Sequence, residues 1–151
     1  RGTINLNSNA SLPHTLERLA AAGLDSIRVS MNSAQPDCYE KYYRMKSYAF
    51  SDVVDSIRVM KRMGRFVSLN YFIFPGVTDS LLETEALCSL LEQTGPDYIQ
   101  LRNLNMDPEW YMRTLELQPD LKTYGIRKWL SLIKKRFPKL RFGYFNPPVN
   151  G

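Results

Sequence analysis

The features that mark a membrane protein, a metal centre or a triphosphate-binding loop are missing from this sequence. No apolar run approaches the roughly 18 residues that a membrane span needs, and no signal peptide is visible. The single histidine, His14, lies beside Pro13 and is expected at the surface, and there is no HExxH, GxGxxG or Walker loop. Cys38 and Cys88 lie 50 positions apart, so we expect two plain thiols in a reducing cytoplasm and no disulfide framework.

What is present is the composition of one ordinary globular domain. With 44% hydrophobic and 23% charged residues, the 151 residues can bury a real core. The chain begins at Arg1 and runs almost at once into the strand-like TINLN, so we expect that sequence upstream of it has been removed. We therefore interpret residues 1–151 as a single domain that is a piece of a larger protein.

Basic residues are concentrated near the carboxyl end. Residues 122–141 hold eight of the twenty lysines and arginines, and no acidic residue follows Asp120. Such a segment could bind nucleic acid or acidic partners. The apolar residues around it recur at helical spacing: Ile126, Trp129, Leu130, Ile133 and Phe137. The basic residues are therefore expected to form mainly the solvated face of a helix, with neither nucleic acid nor a membrane as partner.

Strand-like and helix-like segments alternate along the chain. The strand-like segments are TINL, SIRVSM, FVSLNYFIF, YIQLRNL and LRFGYF. The helical segments span 11–23 with Ser11 as N-cap, 36–44, 51–63, 79–91 and 124–137, and 105–121 is irregular or briefly helical. Apolar helix positions expected in the core are Val53, Ile57, Met60, Leu82, Leu87, Leu90 and Leu91. Repeated βα units predict a parallel sheet in a barrel, part of a barrel or a doubly wound fold.

Four of the strand-like segments carry polar side chains towards their carboxyl ends. These residues are Asn7, Ser8 and Asn9, then Ser30 and Asn32, then Asn70, and finally Gln100, Arg102 and Asn103. The βα loops of a parallel sheet converge at that edge, where barrels and open α/β sheets build their sites. Any one of these residues could be a cap bonded to nearby backbone, but the same feature in four strands favours a ligand site.

The candidate site contains amides, hydroxyls and a guanidinium, but no pair of carboxylates and no histidine. Such groups bind ribose hydroxyls, carboxylates and ammonium groups well, and they are poor acid–base catalysts. This inventory predicts a site that binds a polar cofactor and leaves the chemistry to it.

In the order of its motifs the chain resembles the radical S-adenosylmethionine (SAM) superfamily. NSNA (7–10) stands where the family has TTNG, TLERLAAAGLD resembles the helix that ends L..AGLD, and VSMN (29–32) resembles VSLD. FVSLNYFIFPGVTD resembles V.IN.VV.PG.ND, and YIQLRNL resembles the sixth strand of the family's barrel. The resemblance covers residues 3 to about 104 and implies an α/β fold, a fragment of a partial TIM barrel, followed by a helix and a strand in 105–151.

The resemblance also implies cofactor-binding residues. Ser30 would lie near the methionine moiety of SAM, and Arg44, in YEKYYR, would pair with its carboxylate through a charge-assisted bond. The residues that would contact the ribose or the amino-acid end are Asn9, Asn32 and Asn70. The backbone around Leu101 would meet adenine. Two positions depart from the family pattern, because Asn32 replaces an aspartate and Ala10 replaces a glycine.

The implied activity needs residues that this chain lacks. The family cleaves SAM reductively at a [4Fe–4S] cluster, and the 5′-deoxyadenosyl radical then takes hydrogen from a substrate. A reductant such as flavodoxin or ferredoxin supplies the electron. The three cysteines of the family's CxxxCxxC motif hold the cluster, and no such motif occurs here. We expect it upstream, which makes this chain a fragment that is inactive alone and whose small-molecule or peptide substrate cannot be read.

Two other interpretations are kept open. An ordinary TIM-barrel lyase or isomerase would need a lysine or a carboxylate as acid or base at a strand end, and we find none. A non-enzymatic module would bind nucleic acid through the basic C-terminal helix. A salt-dependent affinity of the chain for DNA or RNA would favour that module, because phosphate contacts release counterions.

We predict that this chain, given iron and sulfide under anaerobic conditions, holds no stable [4Fe–4S] centre. Two thiols 50 positions apart cannot supply the three ligands that the cluster takes from its motif. Iron analysis and the visible absorption spectrum measure this directly. About four irons per chain with the matching absorbance would contradict the prediction.

Overall fold

Strands and helices alternate through the computed structural model, which describes residues 2–103, 105–118 and 122–143. The strands are β1 (Asn5–Ser8), β2 (Ser26–Met31), β3 (Phe66–Ile73), β4 (Tyr98–Asn103) and β5 (Arg141–Phe142). The helices are α1 (Pro13–Ala21), α2 (Pro36–Tyr43), α3 (Phe50–Arg62), α4 (Leu81–Thr94), α5 (Pro108–Thr114) and α6 (Ile126–Arg136). The alternation predicted from the period of the apolar residues is confirmed.

The five strands form one parallel sheet in the order β1-β2-β3-β4-β5. Each strand therefore pairs with its neighbour in the sequence, and each parallel connection passes over the sheet before the next strand begins. A doubly wound sheet instead reverses its strand order at a switch point. The fold is α/β and has the strand order of a barrel, but the sheet is open.

The hydrophobic core lies on one face of this sheet. Side chains of neighbouring strand residues alternate between the two faces, so every second residue of a strand belongs to the core. The strand residues fully or partly buried in that core are Leu6, Ile27, Val29, Met31, Val67, Leu69, Tyr71, Ile99, Leu101 and Phe142. The helices contribute to the same cluster, for example through Leu16 of α1, Ile57 of α3, Leu87 of α4 and Trp129 of α6. A layer of helices over the core face is what a segment of a barrel requires.

The first helix begins one residue later than its sequence suggested. Ser11 was expected to cap it, but Leu12 occupies the N-cap and makes no side-chain capping bond. The physical reason is Pro13, whose fixed φ suits the first helical position and places the cap immediately before it. The backbone N–H of Ser11 instead donates to the Asn9 side chain at 3.3 Å.

The expected core positions of the longer helices are confirmed except at Leu82. Val53, Ile57 and Met60 are fully buried, and the later leucines of α4 are buried as well. Leu82, however, is 61% exposed, because the inward positions of the first turn of α4 are Glu83 and Thr84. A polar contact and not an apolar one therefore anchors the start of this helix.

The basic carboxyl segment has the amphipathic character expected of it. Trp129 and Ile133 of α6 are fully buried. The exposed residues are Lys122, Arg127, Lys128, Lys134, Lys135, Arg136, Lys139 and Arg141. Only Arg141 and Phe142 of the expected strand LRFGYF form β5, and Tyr144 and Phe145 lie outside the described residues.

A membrane-spanning helix was not expected, and none of the helices in the described ranges is long and apolar enough to cross a bilayer.

Ala10 has an unusual backbone for an alanine. It is fully buried and adopts a left-handed conformation with φ of 55°. Its N–H donates to Ser8 Oγ at 3.0 Å, which holds the turn after β1. The left-handed region favours glycine, so this departure from the TTNG pattern keeps the conformation that a glycine would adopt freely.

We predict that Ala10→Gly changes the free energy of unfolding by less than about 1 kcal/mol. Glycine adopts the left-handed conformation without the steric strain that alanine has there, which gains roughly 1 kcal/mol. This gain offsets the loss of one buried methyl group, which costs about 0.8 kcal/mol. Ala20→Gly is the matched control, because Ala20 is equally buried but helical. It should cost roughly 2 kcal/mol, the methyl group plus about 1 kcal/mol of helix propensity. Urea unfolding compares the two variants, and equal losses would contradict the prediction.

Candidate cofactor site

Three polar residues stand side by side on neighbouring strands towards the carboxyl edge of the sheet. Ser30 of β2 is the register partner of Asn70 of β3, and Asn70 is the partner of Gln100 of β4. Register partners on parallel strands point to the same face, and this face is opposite the core. The sequence predicted polar side chains at several strand ends. The register shows that Ser30, Asn70 and Gln100 form one row across three strands.

We call the face of the sheet opposite the core the polar face, because most of its side chains on β2, β3 and β4 are polar. Its residues on β2, β3 and β4 are Ser26, Arg28, Ser30, Phe66, Ser68, Asn70, Phe72, Tyr98, Gln100 and Arg102. Arg102 Nε donates to Asn70 Oδ1 at 3.1 Å, which orients the Asn70 amide. Gln100 is only 2% exposed, and its buried Nε2 has no hydrogen-bond partner. A buried donor without a partner is costly, so an acceptor from outside the described residues fits here.

Asn32 lies beyond the end of β2 and is buried, with its amide turned towards α2 and α5. Its Nδ2 donates to the Cys38 carbonyl oxygen at 3.3 Å and to the Tyr111 hydroxyl oxygen at 3.2 Å. Its Oδ1 is buried and has no partner. The amide nitrogen is thus occupied by the protein, while the oxygen is available to a hydroxyl group. This is consistent with the predicted ribose contact, which stays a prediction.

The other three predicted residues stand in different surroundings. Asn9 follows β1, and its Nδ2 donates to the Tyr48 hydroxyl at 3.4 Å, so part of its role is local. The Leu101 side chain packs on the core, which leaves only its backbone for a ligand on the polar face. Arg44 ends α2 in a left-handed conformation with φ of 47° and is exposed. No described contact joins Arg44 to the row of Ser30 and Asn70.

A carboxylate that the sequence reasoning missed organises this edge of the sheet. Glu83 of α4 is 1% exposed and accepts hydrogen bonds from three residues of the β2–α2 loop (32–35). Ser33 Oγ donates to Oε2 at 2.5 Å, and the Ala34 N–H donates to Oε1 at 2.6 Å. Gln35 Nε2 donates to Oε2 at 2.8 Å, and the Tyr71 hydroxyl of β3 donates to Oε1.

Glu83 and its four donors, which we call the Glu83 cluster, connect the elements that carry the candidate site residues. These donors are Ser33, Ala34, Gln35 and Tyr71. Burial, reinforced by the Glu83 charge, raises the pKa of Tyr71 well above its ordinary value, so the phenol remains a donor. The backbone N–H of Glu83 donates to Ser80 Oγ at 3.1 Å, which is an N-cap bond. S-x-x-E before a helix is the usual capping pattern, in which the glutamate returns to the cap. That pattern could have identified the helix start but not the contact with the loop.

The thiols do not form a metal site. Cys38 and Cys88 are both free and buried, and burial raises the pKa of each thiol. A raised pKa disfavours the thiolate that binds metals. Across the described ranges, no group of three histidine, cysteine or acidic side chains could hold a metal ion. His14 is exposed, as expected.

An open parallel sheet with the strand order of a barrel, helices over its core face and polar groups near its carboxyl edge defines a barrel-type α/β protein. The family description "Radical SAM superfamily" matches residues 1–88, more than half of the chain. The chain belongs to the radical SAM superfamily. A comparison with curated proteins found no match.

Several solved structures share this fold. A radical SAM methyltransferase from Sphaerobacter thermophilus is 20% identical over 75% of this chain and 37% of its own, with a TM-score of 0.53. Methylornithine synthase (PylB) is 18% identical over 86% of this chain and 36% of its own, with a TM-score of 0.57. HydG, a maturase of the [FeFe]-hydrogenase, is 16% identical over 93% of this chain and 32% of its own, with a TM-score of 0.63. The chain thus spans about a third of the length of each.

We predict that Glu83→Gln lowers the free energy of unfolding by roughly 2–4 kcal/mol. A glutamine amide replaces one acceptor oxygen by a donor, so at least one buried donor loses its partner, along with the stronger bonds to a charged group. Glu85→Gln is the control, because Glu85 is exposed on the same helix. It should change stability by less than about 0.5 kcal/mol. A loss below about 1 kcal/mol in Glu83→Gln, measured by urea unfolding, would show that the cluster is not a structural anchor.

Proposed function

We propose that this chain carries much of the SAM-binding surface of a radical SAM enzyme. The observation that carries the proposal is the register that aligns Ser30, Asn70 and Gln100 near the carboxyl edge of parallel strands. Membership of the superfamily supports SAM as the polar ligand. The bound SAM would supply the reactive group, which suits a site with no acid–base pair among its described residues.

The residues of the chain would bind and orient the cofactor. Ser30 and Asn70 would contact its amino-acid end, while the free Oδ1 of Asn32 would accept a hydrogen bond from a ribose hydroxyl. The Leu101 backbone would meet adenine, and Asn9 would complete the site from β1. Arg44 would pair with the SAM carboxylate, and its exposed position leaves its guanidinium accessible. The unpartnered buried amide atoms fit a polar ligand of this kind.

The [4Fe–4S] cluster does not fit the residues described here. Both cysteines are buried with raised thiol pKa values, and the described part of the chain offers no third ligand near either of them. Cluster ligands would have to come from another part of the enzyme, so no step through the cluster is assigned to this chain. The substrate, small molecule or peptide, and a reductant such as flavodoxin or ferredoxin belong to the complete protein.

We predict that Arg44→Gln weakens SAM binding to the complete protein by about ten- to a hundredfold. This corresponds to roughly 1.5–3 kcal/mol, the usual net contribution of a hydrogen bond to a charged group. Ser30→Ala should cost about 1 kcal/mol, or roughly fivefold, because it removes one neutral hydrogen bond. Isothermal titration calorimetry measures both affinities, and thermal melts check that each variant is folded.

The control for Arg44→Gln is Lys46→Gln, which removes an exposed cation two residues away in the same connection. It should leave SAM affinity within a factor of about two, since an exposed charge contributes little at this distance. Equal effects of the two changes would remove Arg44 from the site. Unchanged affinity in a folded Ser30→Ala variant would make Ser30 an ordinary strand-end residue.

A further inference from the structure

The polar face carries positive charge without a compensating acid. Arg28 and Arg102 belong to it, and none of its described positions on β1 to β4 is an aspartate or a glutamate. The β1 positions in register with it, Asn5 and Asn7, are neutral amides. With arginine and without aspartate or glutamate at these strand positions, the face favours anions over cations.

Arg28 is the more informative of the two arginines. It lies in the middle of β2, is half-buried, and its register partners are Asn7 and Ser68, which are both neutral. Its Nε is buried and has no hydrogen-bond partner in the described chain. Leaving a donor of a charged group buried and unpaired is costly, so an acceptor is expected there.

Gln100 supplies a second unpartnered donor on the same face. It lies on β4, two strands away from Arg28 and one side-chain position nearer the carboxyl edge. Strands are about 4.8 Å apart, so the two backbones are roughly 10 Å apart across the sheet. The residues between them on the same face include Ser30 and Ser68, whose short side chains leave space between the two longer ones.

The Asn70 amide beside this space is oriented to donate as well. Its Oδ1 accepts from Arg102 Nε at 3.1 Å, so its Nδ2 points away from that bond. The space is therefore bordered by donors from a guanidinium and from amide groups. Guanidinium groups bind carboxylates and phosphates with paired hydrogen bonds, and an amide N–H adds a further bond to the same oxygens.

We infer that the polar face between Arg28 and Gln100 binds an oxyanion, a carboxylate or phosphate, that belongs to the substrate. This inference rests on the proposed function, since it takes the polar face to be the interior of a SAM-dependent active site. It adds a substrate class, because the enzyme would act on an anionic molecule and hold it by its charged group. The oxyanion pairs with Arg28 and accepts a hydrogen bond from Gln100 Nε2.

The test titrates the complete protein with two probes, inorganic phosphate and succinate, and separately with SAM. Arg28→Gln should weaken binding of the preferred anion at least tenfold and leave SAM affinity within twofold. Gln100→Leu should weaken anion binding about three- to tenfold without loss of thermal stability, because the unpartnered buried amide is removed. Arg18→Gln, on the exposed surface of α1, is the control and should change neither affinity. The stronger of the two probes identifies the oxyanion as phosphate or carboxylate.

Each other outcome decides a different point. If neither anion binds, or if Arg28→Gln does not weaken binding, the oxyanion site is wrong. If Arg28→Gln weakens SAM binding as much as anion binding, the oxyanion is the SAM carboxylate, and the substrate assignment fails. If anions bind through Arg28 but SAM does not bind at all, the proposed function fails while the oxyanion site stands.

Discussion

The buried carboxylate of Glu83 is the interaction on which the geometry of the candidate site depends. It accepts hydrogen bonds from Ser33, Ala34 and Gln35 in the loop after β2, and from Tyr71 on β3. A buried charge is tolerated only when its oxygens are satisfied, and here four donors satisfy them. The same carboxylate opens α4, where the N-terminal end of the helix dipole favours negative charge. One strand, the loop after β2 and a helix thus share one electrostatic anchor.

The two faces of the sheet differ in composition and in packing. The core face is filled by apolar strand residues such as Val29 and Leu69, which the helices cover. The polar face carries the row of Ser30, Asn70 and Gln100, whose side chains contribute no apolar packing to that core. Substitutions on the polar face can therefore change affinity while the folded state persists. In a barrel, that face is the interior, and ligand sites form at the carboxyl end of its strands.

Aromatic residues close the carboxyl edge near Asn32. The Tyr111 hydroxyl of α5 accepts a hydrogen bond from Asn32, and its ring centroid lies 6.0 Å from that of Tyr42 and 5.5 Å from that of Phe74. Tyr42 also packs edge-on against Phe72, with ring centroids 5.6 Å apart. These contacts bring α5, which follows β4, against α2 and the end of β3. Helix α5 therefore packs against the elements that carry the candidate site residues.

The sequence by itself determined the order of elements, the parallel sheet and the presence of polar groups near the strand ends, because these follow from local periods of two and 3.6 residues. It could not determine that Glu83 is an anchor, since S-x-x-E in isolation indicates only a helix start. The partners of Glu83 lie 48 to 50 positions away in the loop after β2 and 12 positions away on β3. Nor could it show that the Asn32 amide turns towards Tyr111, 79 positions away. It also could not show that Arg28 Nε and Gln100 Nε2 lie buried on one face without a hydrogen-bond partner among the described residues. Those facts depend on strand register and long-range packing, which only the tertiary structure decided.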